Sequence, residues 1–519
     1  MFKKICPFFV LNLSRKNVVW IMLAFILVGI AFRIYRFSQQ PTGLYWDEIA
    51  MAVDASAVSK TGNDMHGHHW LQPIFVSYGD YKLPIYIWFS SIVAMVSASP
   101  EIIVRLPSLI AGLGTIAMTG LIGIKLFSHS SQSKNYKLLT FISSVFIIAI
   151  SPTAMHFSRV GFEAHLGQFI LAMAVYLALF AKLRWHILAQ VMAVIATNTY
   201  YSIRFVWPII YLLIIVLDIP QSLRNTALTL KKRWPFFAQG AILFSLYWLM
   251  LIPMQNSVFY NSMQQFRLGA DSILTVQDWA VESNQLREEV GNSFVSRIFY
   301  HRDWLMLRQF LSNLSNNMSL NTIFIKADNN LRHSSGNHGL FFLPFLPILI
   351  WGLFKLFEKN KLILLLLVCW WLVGLVPASV PMETPHSLRS LNSLIPLSLM
   401  IAFGWLQLVA QFSVKQLEQK THYFFWGLVI ALLFSLISFY HYYFYLYPLK
   451  SADYWQTGYK QTALETCQQA QQQPTVLVNH HDQRFFLWIL GYCSFSQNSL
   501  DEAIFKDYQL QQLENIKFL

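Results

Sequence analysis

Apolar residues in this chain do not alternate with polar ones; they gather into long runs divided by short polar stretches. Half-buried strands would alternate with a period of two and amphipathic helices would repeat every three or four residues. Runs approaching 20 mostly apolar residues are instead long enough to cross hydrocarbon as helices. Such runs cover Val18 to Tyr35, Ile102 to Phe127, Leu138 to His156, Ala164 to Ala181, Trp185 to Tyr200 and Phe205 to Leu217. They continue at Phe236 to Met254, Gly339 to Phe357, Leu362 to Val380, Leu394 to Gln411 and Tyr423 to Tyr447, giving about eleven spans. No cleavable small-residue site follows the first run, so it is expected to stay as an uncleaved span.

A shorter run, Leu83 to Ser97, is the exception. Counting it as a span would move the Lys-rich connections outside, against the rule that Lys and Arg concentrate on the cytoplasmic side. It is therefore expected to be a juxtamembrane or re-entrant helix. Lys3, Lys4, Arg15, Lys16, Lys125, Lys134, Lys137, Lys182, Arg184, Arg224, Lys231, Lys232, Arg233, Lys355, Lys359, Lys361, Lys415 and Lys420 then share the cytoplasmic side. Arg36 to Glu101, Gln255 to His338 and Pro448 to Leu519 lie on the other.

Composition agrees with a bilayer as solvent. Of 519 residues, 55% are apolar and 12% charged, against roughly 25% charged in soluble domains. The net charge of +13 comes from cations set singly between apolar runs, not from a basic stripe with stacking aromatics, so no nucleic-acid partner is expected. Cys6, Cys369, Cys467 and Cys493 lack the paired spacing of a zinc site. Only Cys467 and Cys493 share a polar segment, where an oxidising compartment would permit a disulfide. The fold implied is an all-α polytopic membrane protein: residues 1–447 form the membrane domain, with external juxtamembrane helices. A small α/β extracytoplasmic region, 448–519, holds a helix near Thr462 to Gln473 and a strand at Thr475 to Val478.

Charged residues close to lipid demand a reason. Tyr45-Trp46-Asp47-Glu48 places two carboxylates just beyond the first span, and capping of a helix through Ala50 to Val58 is the plain alternative for Asp47. Gly79-Asp80-Tyr81-Lys82-Leu83-Pro84 sets a cation before an aromatic helix, and snorkelling is its plain alternative. Arg159 and Glu163 share a short loop, where a structural ion pair is the commoner outcome. Arg332-His333 precedes the eighth span. In Glu383 to Asn392, His386 and Arg389 share a helix face at i, i+3 spacing. All five groups fall on one membrane face. Carboxylates beside cations at a lipid surface suit displacement of a phosphate from a lipid-linked sugar: a carboxylate takes the proton of the incoming hydroxyl, and fixed cations stabilise the departing phosphate.

Tyr-Trp-Asp-Glu, Gly-Asp-Tyr-Lys-Leu-Pro, Arg105-Leu106-Pro107 and the Arg159 to Glu163 loop, in that order, resemble dolichyl-phosphate-mannose protein mannosyltransferases (glycosyltransferase family 39). Bacterial relatives include the transferase that puts aminoarabinose on lipid A. These are integral-membrane glycosyltransferases of the GT-C type, and the resemblance is strongest from Val18 to about Phe205. It implies inverting transfer from a polyprenyl-phosphate sugar to a protein or glycolipid acceptor, at the periplasmic face of an inner membrane. Asp47 would be the base, Glu48 its support and Glu163 the second acidic residue. Lys82, Arg159 and Arg389 would contact the donor phosphate, with Tyr81, His386, Arg332 and His333 as candidate substrate contacts. No cofactor is required, although a divalent metal at Asp47 and Glu163 stays open. Leu83 departs from the family's Lys-Pro-Pro, and Glu163 stands where aspartate is often found.

Other readings have their own signals. His66, His68, His69 and Asp64 could ligate zinc, although adjacent histidines seldom point at one ion. Asn313-Leu314-Ser315 and Asn317-Met318-Ser319 are glycosylation sequons by pattern. A transporter would carry its charges near the midplane between repeated halves, which this chain lacks. A membrane O-acyltransferase would need a histidine base such as His156 or His165, and a non-catalytic binder of lipid-linked sugars would retain the same polar groups.

Overall fold

The computed structural model describes residues 14–77, 80–128, 132–219, 234–235, 238–242, 272–274, 278–411, 419–480, 482–493, 504–506 and 509–518. Most of the expected span at 236–254, the cations at 3, 4, 224, 231–233 and 415, and Cys6 lie outside them. In chain order the first elements are α1 (Arg15–Ile34), α2 (Trp46–Thr61), β1 (Phe75–Ser77), β2 (Asp80–Lys82), α3 (Pro84–Ala94), α4 (Pro100–Phe127), α5 (Lys134–Ala149), α6 (Pro152–Phe157), α7 (Glu163–Ala178), α8 (Leu183–Thr197) and α9 (Ile203–Val216). Then come α10 (Trp279–Glu289), α11 (Phe294–Phe299), α12 (Arg302–Met318), α13 (Leu320–Phe324), α14 (Leu346–Lys359), α15 (Lys361–Leu375), α16 (Leu394–Gln411) and α17 (Gln419–His441).

Each expected span outside 236–254 coincides with a helix, and the helices at Arg15–Ile34, Pro100–Phe127, Lys361–Ala378, Leu391–Gln411 and Thr421–Lys450 are long and apolar enough to cross a membrane unaided. The expected span Leu138 to His156 is broken instead. Ser151 accepts the Ala154 N–H at 3.2 Å and Pro152 opens α6, a cap and a proline that together start a new helix. The 11 residues of α3 are too few to span, as the charge pattern requires.

Close helix approach replaces hydrophobic drive inside a bilayer. Gly352 of α14 and Gly404 of α16 meet so tightly that a Cβ on either would overlap the other helix's backbone. Around this crossing, Trp405, Phe146 and Phe345 interlock. Arg33 and Arg159 lie fully buried and solve a backbone problem: the last carbonyls of a helix have no partners of their own. Arg33 donates to Gly29, Ala149 and Ile148 carbonyls. Arg159 donates to that of Phe32 in the last turn of α1 and to those of Arg36 and Gln40 in the loop beyond it.

Helix α17 continues through a π turn, Tyr442–Leu446, into α18 (Tyr447–Lys450). Beyond it α19 (Tyr459–Gln472), β3 (Val476–Val478), α20 (Phe486–Tyr492), β4 (Ile504–Lys506), β5 (Gln509–Leu513) and β6 (Ile516–Phe518) build the expected α/β region. Its sheet runs β3-β6-β5-β4, with β3 and β6 parallel and the other pairs antiparallel. A Cys467–Cys493 disulfide, with Cα atoms 6.0 Å apart, ties α19 to the end of α20. The region is seated on the membrane domain: Gly491 abuts Ile49 of α2, and Lys460 and Tyr492 reach Glu101 at 2.7 and 2.8 Å.

Candidate active site

Helix α2 begins at Trp46, two residues earlier than an Asp47 cap would place it, with Tyr45 at its cap and no side-chain cap bond. Asp47 is therefore not the capping residue. It and Glu48 stand in the first turn, where the exposed N–H groups and helix dipole favour negative charge. Lys82 ends β2, paired through Phe75 with β1. The family's proline at position 83 proves unnecessary: Leu83 is already extended at φ −79°, ψ 150°, because a residue before proline is excluded from helical geometry. Pro84 then opens α3. Glu163 is the first residue of α7.

Three chain segments thus bring one cation between two carboxylates. Lys82 Nζ lies 3.2 Å from Asp47 Oδ1 and 3.6 Å from Glu163 Oε1. The side chains of Lys82 and Glu163 are only 5% and 7% exposed, whereas Asp47 is 19% exposed, which makes Asp47 the most accessible of the three. Glu48 is sealed beneath. Arg105 of α4 grips it in bidentate fashion, Nε to Oε1 at 3.1 Å and Nη2 to Oε2 at 3.0 Å, and also donates to the Pro41 carbonyl. Oε1 of Glu48 accepts the Gly161 N–H at 2.6 Å. A Cβ at Gly161 would come within 2.7 Å of Val104, so the loop that delivers Glu163 is fitted closely to α2 and α4. Both oxygens of Glu48 are thus taken up by protein partners.

Other expected contacts divide. Arg159 is fully buried with its guanidinium on backbone carbonyls, and Glu163 pairs with Lys82 rather than with Arg159. Tyr81 accepts the Tyr201 hydroxyl at its carbonyl. Arg332 lies with its guanidinium 4.5 Å from the Trp46 ring centre and 5.4 Å from that of Tyr45. Its chain is fixed by buried partners: the Arg332 carbonyl meets His156 Nε2 at 2.8 Å, and the Leu331 carbonyl accepts the Tyr447 hydroxyl at 2.6 Å. His333 stacks on His386 at 4.7 Å, touches Phe162, and meets Asp328 Oδ2 at 3.4 Å. Asp328 Oδ2 also accepts the Ser387 N–H at 2.7 Å, and Arg389 N–H donates to His386 Nδ1 at 3.4 Å. Burial, with His333 and Arg389 nearby, pushes the His386 imidazole well below its usual range. Burial, with the charges of Asp47, Glu163 and Glu48, raises the Tyr45 phenol.

Two metal hypotheses meet this geometry. Between Asp47 and Glu163, the Lys82 ammonium takes the position a divalent ion would occupy, so the arrangement does not fit one. Asp328, His333 and His386 bring their ligand atoms close together, yet the two imidazole planes are stacked and only 19° apart, so their in-plane lone pairs do not converge. Asp64 folds its own loop, accepting N–H groups from His66 and His68 and the Gln72 amide. The sequon residues Asn313 and Asn317 are buried and donate to the carbonyls of Ser379, Pro381 and Ala378. His156 and His165, the histidines on which the acyltransferase reading rests, are buried too.

Sequence reasoning missed Arg484, Asp328 and the part of Trp46. Arg484, from the C-terminal region, lies 4.1 Å from the Trp46 ring centre, and nothing local in the sequence signals a contact across more than 400 residues.

No family model and no curated protein matches the chain. Solved structures do. A crystal structure of ArnT from Cupriavidus metallidurans in the apo state matches with a TM-score of 0.53 and 11% identity, over 92% of this chain and 84% of that one. The same protein bound to undecaprenyl phosphate gives 0.52 and 11%, over 92% and 85%. Archaeal oligosaccharyltransferase AglB from Archaeoglobus fulgidus, in complex with an inhibitory peptide and a dolichol-phosphate, gives 0.46 and 10%. The match covers 92% of this chain but 64% of AglB's length. The chain has the fold of the GT-C membrane glycosyltransferases.

Proposed function

We propose that the protein is an inverting glycosyltransferase that moves a sugar from a polyprenyl-phosphate donor to a hydroxyl or phosphate acceptor at the extracytoplasmic face of a cytoplasmic membrane. The observation that carries this reading is the Asp47–Lys82–Glu163 cluster, with the one accessible carboxylate at a helix start that the Glu48–Arg105 pair fixes. In the proposed step the acceptor oxygen attacks the anomeric carbon from the side opposite the phosphate. Its proton passes to the Asp47 carboxylate, and the bond from that carbon to the phosphate oxygen breaks with its electron pair going to the phosphate. One displacement inverts the centre. Glu163 holds the Lys82 ammonium in place, and Lys82 stabilises charge on the leaving group. The ArnT structure that holds undecaprenyl phosphate on the same fold supports a polyprenyl donor here.

Binding tests this reading before turnover does. In nanodiscs the wild-type chain is expected to bind undecaprenyl phosphate, and Lys82→Ala to bind it at least tenfold more weakly. Equal affinity in the variant would remove Lys82 from the donor site.

A further inference from the structure

Charge at the site is not balanced by Lys82 alone, since that ammonium already serves two carboxylates. Two further cations stand one residue from Asp47, and they come from separate segments of the chain. Arg332 and Arg484 have their guanidiniums within 4.5 Å of the same Trp46 ring centre. Each is held at its Nε edge, Arg332 by Asn330 Oδ1 at 3.5 Å and Arg484 by Asp482 Oδ1 at 3.0 Å. The terminal amines of both make no hydrogen bond among the described residues. Arg332 has no carboxylate partner there, and Arg484 is 34% exposed. Beside them the buried Tyr45 hydroxyl has no hydrogen-bond partner.

Two like charges on one indole repel each other, and Asp482 offsets only that of Arg484. Guanidinium forks with unused amines are suited to bidentate binding of carboxylate or phosphate. Both guanidiniums border the Trp46 ring, where each can offer its unused amines to an anionic group. Their anchoring is also too specific for loose surface arginines: His156 and Tyr447 fix the chain at Arg332, and the Cys467–Cys493 disulfide braces the helix that follows Arg484.

We propose that Arg332 and Arg484, set over Trp46, form an oxyanion subsite for the acceptor, so that the molecule glycosylated carries a phosphate or carboxylate near the hydroxyl that Asp47 deprotonates. The inference rests on the transferase reading and adds the C-terminal region to the substrate site.

The test uses the full chain in nanodiscs with two probes, inorganic phosphate and undecaprenyl phosphate, titrated calorimetrically. Wild type is expected to bind inorganic phosphate in a salt-sensitive manner. Arg484→Gln and Arg332→Gln should each weaken that binding several-fold, and their combination at least tenfold. Arg484→Lys should recover only part, since an ammonium lacks the fork. Affinity for undecaprenyl phosphate should be unchanged in Arg484→Gln. Retention of the disulfide and an unchanged elution volume exclude misfolding. The subsite is overturned if inorganic phosphate binds the double variant as tightly as wild type. Its assignment to the acceptor is overturned if Arg484→Gln loses undecaprenyl phosphate to the same extent. Failure of the wild type to bind undecaprenyl phosphate would instead remove the transferase reading, while leaving the result with inorganic phosphate to stand by itself.

Discussion

At the scale of single residues, the site depends on charges that satisfy one another before any substrate arrives. Glu48 and Arg105 are fully buried and doubly bonded. Breaking such a pair from one side leaves an uncompensated charge and costs about 3–5 kcal/mol. Glu48→Gln is therefore expected to lower the unfolding temperature sharply and to abolish transfer, as measured by thermal unfolding in detergent and by sugar turnover. A companion Glu48→Leu, Arg105→Met variant should recover much of the stability and none of the activity. The sequence displayed Asp47, Lys82 and Glu163 plainly, because ionisable residues beside lipid are rare enough to stand out. It did not separate Glu163 from Arg159. A glutamate four residues from an arginine looks like a local pair, and only the folded chain shows Arg159 turned to backbone carbonyls while Glu163 turns to Lys82.

At the scale of elements, helix α2 carries the proposed base at its start and an unfavourable carboxylate at its middle. Asp54 is buried; one oxygen accepts the Met65 N–H, and the other has no partner. Burial, and then the charge of Asp64, raise its pKa well above the ordinary carboxylate value. Between the unfolded and folded values the folded state holds more protons, so stability falls as pH rises through that window. Asp54→Asn is accordingly expected to raise the unfolding temperature by a few degrees at pH 8. The gain should vanish below about pH 4, where the unfolded carboxyl is protonated as well. An unchanged melting temperature at pH 8 would mean that Asp54 is not the strained group described. Element boundaries were legible where apolar runs are long, as in α1, α4 and α16. They were not legible at Ser151-Pro152, where a cap and a proline divide one apolar run into two helices.

At the scale of the whole molecule, periodicity and charge bias were enough to anticipate a polytopic helical bundle with a small α/β region after residue 447. They gave no sign that this region sits on α2 and sends Arg484 to Trp46, because contacts between distant segments leave no local pattern. The same assembly bears on metal dependence. The Lys82 ammonium, held between Asp47 and Glu163, supplies positive charge where the family resemblance left room for a divalent ion. Transfer is therefore expected to survive exhaustive chelation with little change in rate. Loss of activity on chelation, restored by one added divalent metal, would show that Lys82 leaves the carboxylates during turnover.

The central claim is that Asp47 performs sugar transfer from a lipid phosphate. Its most direct measurement offers purified protein in nanodiscs a panel of labelled polyprenyl-phosphate sugars, with host membrane extract as acceptor, and compares wild type with Asp47→Asn. The account predicts transfer from one donor by the wild type and at least a hundredfold less by the variant, with undecaprenyl phosphate still bound by both. Equal turnover by Asp47→Asn would contradict it, and so would a wild type that binds the lipid phosphate yet transfers no sugar from any donor.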